Sequence, residues 1–115
     1  MSDPFNNLER IVKEENLHIN EGSEDEFDMK PFAFYREFNY NKPGSIKLGN
    51  RFLERVGSII YCSKTNESGI DWEGKPPELV IMGLTGYIKE KYNKEPNYYI
   101  LTKKWNLEKY NIIKA

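Results

Sequence analysis

PFAFYREFNY, residues 31–40, has the clearest strand pattern in the chain. Its large apolar side chains stand at even-numbered positions, Phe32, Phe34, Phe38 and Tyr40, and Arg36 interrupts the series. Because a strand sends alternate side chains to opposite faces, this pattern predicts a strand with one buried face.

Further strands are expected downstream. Pro43-Gly44 has the chemistry of a type II turn, because Pro presets φ of the second turn position and Gly supplies positive φ at the third. We therefore expect a strand on each side of it. Residues 58–64 have apolar side chains on both parities, which predicts a central strand. Residues 50–57 fit either an extension of the strand that starts near Ser45, after the turn, or a short helix. Residues 97–105 are aromatic and β-branched, which predicts another strand.

Two helices are predicted around this strand-rich region. In residues 4–16, apolar residues recur at helical spacing between charged ones, and the resulting stripe must dock on another element, most simply the sheet. Residues 78–91 follow two prolines and end in lysines, which favours a second helix. Gly83 and Gly86 each cost about 1 kcal/mol in a helix interior, so a hairpin beginning at 79–82 is the alternative.

The length and composition are those of one folded domain. The chain has 115 residues, of which 14% are aromatic, whereas disordered chains lack aromatic residues. The composition of residues 20–30 predicts an acidic loop, and that of residues 65–77 predicts a turn-rich loop. The tail from residue 106 fits either a last helix or an edge strand. We therefore predict a single α+β domain over 1–115, with a small, mostly antiparallel sheet of about four to five strands packed against two to three helices.

The chain is expected to be cytoplasmic and without membrane association. Its first residues lack a basic segment followed by an apolar run, and no apolar stretch approaches about 18 residues. Its single cysteine excludes an intrachain disulfide, which suits a reducing compartment. Lys, Asn, Ile and Tyr are common and Ala is scarce, a bias that indicates a low-GC microbe or one of its phages.

Few residues are suited to catalysis. His18 is the only histidine, and Cys62 lies in an apolar run. A nucleophile–histidine pair would need these two to meet, and a zinc site normally needs four ligands. We therefore expect a protein that is not an enzyme and that has no metal or cofactor, although a site made only of carboxylates remains an alternative.

The charge is unevenly distributed along the chain. Residues 1–29 hold nine acidic and two basic residues, and residues 86–115 hold three acidic residues and seven lysines. The acidic group Glu24, Asp25, Glu26 and Asp28 lacks the spacing of a calcium loop. It fits a solvated loop, a segment that packs beside the basic one, or a surface that attracts a partner with a basic surface.

The last third of the chain interleaves aromatic residues with lysines, a mixture that binds single-stranded nucleic acid. Against this, the pI is about 5.9 and no Arg follows Arg55. Aromatic residues also anchor protein interfaces, and Trp72 is the best such candidate unless it covers the edge of the core. The candidate partner-binding residues are Glu24, Asp25, Glu26, Asp28, Trp72, Tyr98, Tyr99, Lys103, Lys104 and Trp105.

Gly83-Leu84-Thr85-Gly86 resembles the GxxG loop of KH RNA-binding domains. In that family the loop joins two helices and clamps the nucleic-acid backbone. The resemblance covers about ten residues, and it departs from the family pattern because the interior of the loop has no basic residue. It implies a loop at 83–86 that contacts nucleic acid.

The functional hypothesis is a small binding protein that inhibits or neutralises another macromolecule. An immunity protein against a toxin, or a phage protein that blocks a host or defence enzyme, would be of this kind. The partner is expected to be a protein, with nucleic acid as the alternative and a carboxylate-only enzyme as the third hypothesis. The sequence leaves the oligomeric state open.

Overall fold

The computed structural model describes residues 4–38, 46–48, 51–72, 74–101 and 107–110. Within these ranges it contains two helices and seven strands, and all the strands belong to one sheet. In chain order the elements are α1 (Pro4–Glu14), β1 (Leu17–Glu21), β2 (Met29–Phe38), β3 (Ile46–Leu48), β4 (Arg51–Cys62), β5 (Glu67–Trp72), α2 (Glu78–Tyr92), β6 (Asn97–Leu101) and β7 (Leu107–Tyr110).

The strands follow the order β1-β2-β4-β5-β6-β7, and β3 pairs with the first residues of β4. Every described pair is antiparallel except β5–β6, which is parallel. A parallel pair needs a crossover connection, and α2 provides it. The predicted α+β class with a mostly antiparallel sheet is confirmed, but the sheet has more strands than expected.

The acidic loop is shorter than predicted because strands extend into both of its ends. α1 ends at Glu14, two residues before its predicted end, and Asn16 has a left-handed φ of 59° in the turn that follows. That turn leads directly into β1, which pairs with β2 from Leu17 opposite Arg36 to Glu21 opposite Phe32. The loop between β1 and β2 therefore spans residues 22–28 rather than 20–30.

The turn-rich loop predicted at 65–77 is wrong over residues 67–72, which form β5 between β4 and β6. Residues 50–57, which fitted a helix or a strand, join β4 from residue 51. A bulge at Val56 separates the pairs Phe34–Gly57 and Tyr35–Arg55, and it gives this long strand a change of register. The turn predicted at Pro43-Gly44 lies outside the described residues, and β7 shows that the tail contributes an edge strand.

The core lies between one face of the sheet and the two helices. Phe32 and Phe34 are fully buried, as the parity of residues 31–40 predicted. Tyr87 of α2 meets the Phe32 ring edge-on at 5.6 Å between centroids. The other apolar residues of the core are Leu8, Val12, Leu17, Ile59, Tyr61, Ile70, Val80, Ile81, Leu84, Ile88 and Tyr98.

Residues 78–92 form a continuous helix, and the glycines within it do not break it. A Cβ at Gly83 would lie 3.2 Å from side-chain atoms of both Leu8 and Ile11, so the missing side chain lets α1 approach closely. Thr85 Oγ1 donates a hydrogen bond to Ile81 O one turn earlier. The loop implied at 83–86 by the KH resemblance is therefore wrong.

Candidate functional site

Both described helices pack on the same face of the sheet, and the opposite face carries no described helix. Along β4, Ile59 and Tyr61 are buried beneath the helices, whereas Ile60 between them is 44% exposed. Along β2, Phe32 is buried while its neighbour Pro31 is exposed. We call this second side the uncovered face.

An apolar row crosses the uncovered face. Pro31 of β2 pairs with Ile60 of β4, Ile60 pairs with Gly69 of β5, and Gly69 pairs with Tyr99 of β6. Cross-strand partners point to the same side of a sheet, so these four residues, named here the apolar row, form one band. Tyr98 next to Tyr99 is buried beneath α2, which places Tyr99 on the uncovered face.

Exposed apolar side chains extend the band at one end. Met29 is 43% exposed and stands two residues before Pro31, so it lies on the same face. Phe27, in the loop before it, is 66% exposed. The backbone oxygen of Phe27 accepts a hydrogen bond from the Cys62 thiol at 3.8 Å, which holds this loop beside the uncovered face. Cys62 is the partner of Met29 across the β2–β4 pair.

Carboxylates border the apolar row. Glu67 and Asp71 stand two residues before and after Gly69, and both are exposed. Since residues two apart on a strand share a face, the glycine lies between two acidic side chains. At the far corner of the same face, His18 Nε2 lies 2.7 Å from Glu37 Oε1. The face therefore has an apolar centre and a largely acidic border along β5.

The predicted acidic group has two kinds of members. Asp25 Oδ1 accepts hydrogen bonds from the backbone N–H groups of Phe27 and Met29 at 2.9 and 3.0 Å, so it builds the loop. Glu24 Oε1 accepts a hydrogen bond from Ser63 Oγ at 2.9 Å. Glu26 and Asp28 are exposed, and they are the two members suited to long-range attraction.

The acidic and basic segments of the chain meet at one residue. Lys94 Nζ donates a hydrogen bond to the backbone oxygen of Ser63 at 3.2 Å, and the hydroxyl of this Ser63 binds Glu24. Both segments thus contact Ser63, but Lys94 bonds a backbone oxygen rather than a carboxylate, so mutual compensation of the two charged segments stays a prediction.

The aromatic candidates are divided between the core and the surface. Tyr98 is buried, and its hydroxyl lies 2.7 Å from Thr85 Oγ1. Because of this burial, the pKa of Tyr98 is raised far above its usual value. Tyr99 is half-buried on the uncovered face. Trp72 packs on the Phe34 ring at 5.2 Å between centroids, so it covers the edge of the core. Lys103, Lys104 and Trp105 lie outside the described residues.

The residues with catalytic potential are far apart. Cys62 pairs with Met29 of β2, and His18 pairs with Tyr35 of the same strand. Tyr35 lies six residues after Met29, so at about 3.3 Å per residue Cys62 and His18 stand roughly 20 Å apart along the strand direction. Hydrogen bonds from Thr65 lower the pKa of the Cys62 thiol, but no imidazole stands beside it in this register. In the described part of the chain, no three His, Cys, Asp or Glu side chains come together as a metal site.

A buried ion pair lies on the helix side of the sheet, and the sequence analysis missed it. Lys30, assigned there to the acidic loop, is only 5% exposed, and its Nζ lies 3.4 Å from Glu21 Oε1. Glu21 Oε2 and the hydroxyl of Tyr92 are buried, and neither has a hydrogen-bond partner among the described residues. The pair lies at the end of the core and does not reach the uncovered face.

Comparison of the chain with protein-family models, with curated proteins and with solved structures returned no match. None of the helices that the structure describes is long and apolar enough to span a bilayer. The geometry of the uncovered face is therefore the basis for inferring a function.

Proposed function

We propose that this chain is a small, non-enzymatic binding protein that inhibits another protein by docking on it through the uncovered face. The observation that carries the proposal is the apolar row, in which Ile60 is 44% exposed, extended by Met29 at 43% and bordered by Glu67 and Asp71. An apolar centre with a polar border is the usual anatomy of a protein interface.

The border indicates the charge of the partner. Glu67 and Asp71 on the face, with Glu26 and Asp28 in the adjacent loop, would attract a basic surface and speed its encounter with this one. The same carboxylates repel phosphates, so they favour a protein partner over nucleic acid. The burial of Tyr98 also removes one of the rings on which bases would stack.

Inhibition is proposed because a face of this kind covers a surface and performs no reaction. The thiol of Cys62 and the imidazole of His18 stand too far apart to cooperate, and Glu21 and Glu24 are engaged by Lys30 and Ser63. An immunity protein or a phage antagonist acts by occupying the functional surface of its target, which requires only complementarity.

Replacing Ile60 with Lys tests this proposal, and Met82→Lys is the matched control. Both side chains are apolar and exposed, at 44% and 57%, but Met82 lies on α2, on the other side of the sheet. Each variant is immobilised and used to capture proteins from a lysate of the cell that encodes the chain. Lysine at position 60 removes apolar contact and places a positive charge against a basic partner.

We expect the parent chain and Met82→Lys to retain one protein. The amount of this protein that Ile60→Lys captures should be at least tenfold lower. Its purified activity should fall in proportion to added chain and reach its minimum at one-to-one stoichiometry. Retention that is equal for both variants would contradict docking on the uncovered face. A bound protein whose activity is unchanged at saturation would contradict inhibition.

A further inference from the structure

We infer that Gly69 is the floor of a trough that receives one cationic side chain, arginine rather than lysine, from the partner protein. The inference depends on the proposed function, because it names the chemistry that the same face recognises. The trough has Ile60 as one wall, Tyr99 as the other, and the carboxylates of Glu67 and Asp71 at its two ends.

The dimensions of the trough follow from the sheet. Neighbouring strands lie about 4.8 Å apart, so Ile60 and Tyr99 stand roughly 10 Å apart across β5, with no side chain between them. A Cβ added at Gly69 would have no heavy atom within 4 Å, which shows that the space above the glycine is open. A gap of this width accepts one extended side chain.

The backbone does not require a glycine at position 69. Among the described glycines only Gly74 has positive φ, and the β4–β5 pairing runs through Gly69 without a shift of register. A glycine inside a strand lowers stability, and where no bulge or bend explains it, it marks the close approach of another group. The open space above Gly69 is where that group would lie.

The walls and ends of the trough fit a guanidinium group on an aliphatic stem. The stem would lie against Ile60, as long cationic side chains do on apolar surfaces. The planar head would stack on the Tyr99 ring and reach a carboxylate of Glu67 or Asp71, each about 6.6 Å along the strand from Gly69. Arginine fits better than lysine because its flat, forked head both stacks and pairs with a carboxylate.

The test fills the trough without disturbing the fold. Gly69→Thr adds a β-branched residue where nothing lies within 4 Å, so it should leave the free energy of unfolding equal or higher. Gly86→Ala is the control, because a Cβ at Gly86 would likewise meet no heavy atom within 4 Å, but Gly86 lies on α2. The probe is N-acetyl-arginine amide, and N-acetyl-citrulline amide is its uncharged counterpart, titrated into the ¹⁵N-labelled chain.

With the arginine probe we expect saturable shifts of the Ile60, Glu67 and Tyr99 amide signals. With the citrulline probe these shifts should be at least fivefold smaller. The shifts should persist in Gly86→Ala and disappear in Gly69→Thr while that variant remains folded. Equal shifts with both probes, no saturation up to high millimolar probe, or shifts that survive in Gly69→Thr would overturn the inference. Loss of partner capture by Ile60→Lys would still support docking in that case, so the two ideas fail separately.

Discussion

Replacing Glu21 with Met is expected to lower the free energy of unfolding by about 3–5 kcal/mol, because the change leaves a buried ammonium without its counter-ion. Lys30 is 5% exposed, and its Nζ lies 3.4 Å from Glu21 Oε1. The ring of Phe32 lies 5.9 Å from the same nitrogen, and a cation–π contact of this kind replaces only part of the lost attraction.

The opposite single change should cost less. In Lys30→Met the carboxylate that remains belongs to a side chain that is 28% exposed, against 7% for Lys30, so it can turn towards water more easily than the ammonium can, and we expect a loss of no more than about 2 kcal/mol. The double variant replaces both charges with apolar groups and should be more stable than Glu21→Met alone. Urea unfolding of the four proteins gives the interaction energy. A Glu21→Met variant no less stable than Lys30→Met would contradict this account of the pair.

Gly57→Ala is expected to destabilise the fold by about 1–3 kcal/mol, the usual cost of overpacking a core. Gly57 is the cross-strand partner of Trp72, and an added Cβ would overlap two carbons of the Trp72 ring. The ring would have to move off Phe34, on which it packs at 5.2 Å. Its new position should also expose the indole to water.

Urea unfolding and tryptophan fluorescence together measure this effect, in a Trp105→Phe background that leaves Trp72 as the only tryptophan. We expect a lower midpoint and a red-shifted emission for Gly57→Ala. Gly69→Ala is the control for a glycine inside a strand, and it should cause neither change because nothing lies near its Cβ position. A parental midpoint for Gly57→Ala would show that Trp72 does not pack over this glycine.

The elements with strong periodicity were predictable from the sequence. Residues 31–40 gave the buried face of β2, and the apolar stripes of 4–16 and 78–91 gave both helices. β1 and β5 were missed for physical reasons. β1 has only five residues after a tight turn at Asn16, too few for a clear alternation. β5 combines an open glycine with acidic residues, because half of its side chains face away from the core.

The candidate site was less predictable than the fold. Tyr98 was predicted to bind a partner but is buried, and of the two alternatives left open for Trp72 the structure shows the cover for the edge of the core. The strand face of each residue is set by pairings distant in the chain. The central position predicted for residues 58–64 is confirmed, but the exposure of Ile60 depends on which side of the sheet α1 and α2 cover. A pattern of side chains along one strand contains no information about that choice.

Binding of a protein to the uncovered face can be measured at the thiol of Cys62. It is the only cysteine in the chain and lies two residues from Ile60 on the same side of β4, and hydrogen bonds from Thr65 lower the pKa of its thiol, which favours the reactive thiolate. The measurement is its rate of alkylation by iodoacetamide, followed by mass spectrometry of the peptide, free and saturated with the captured partner. The proposal predicts at least tenfold slower alkylation in the complex, and an unchanged rate would contradict it.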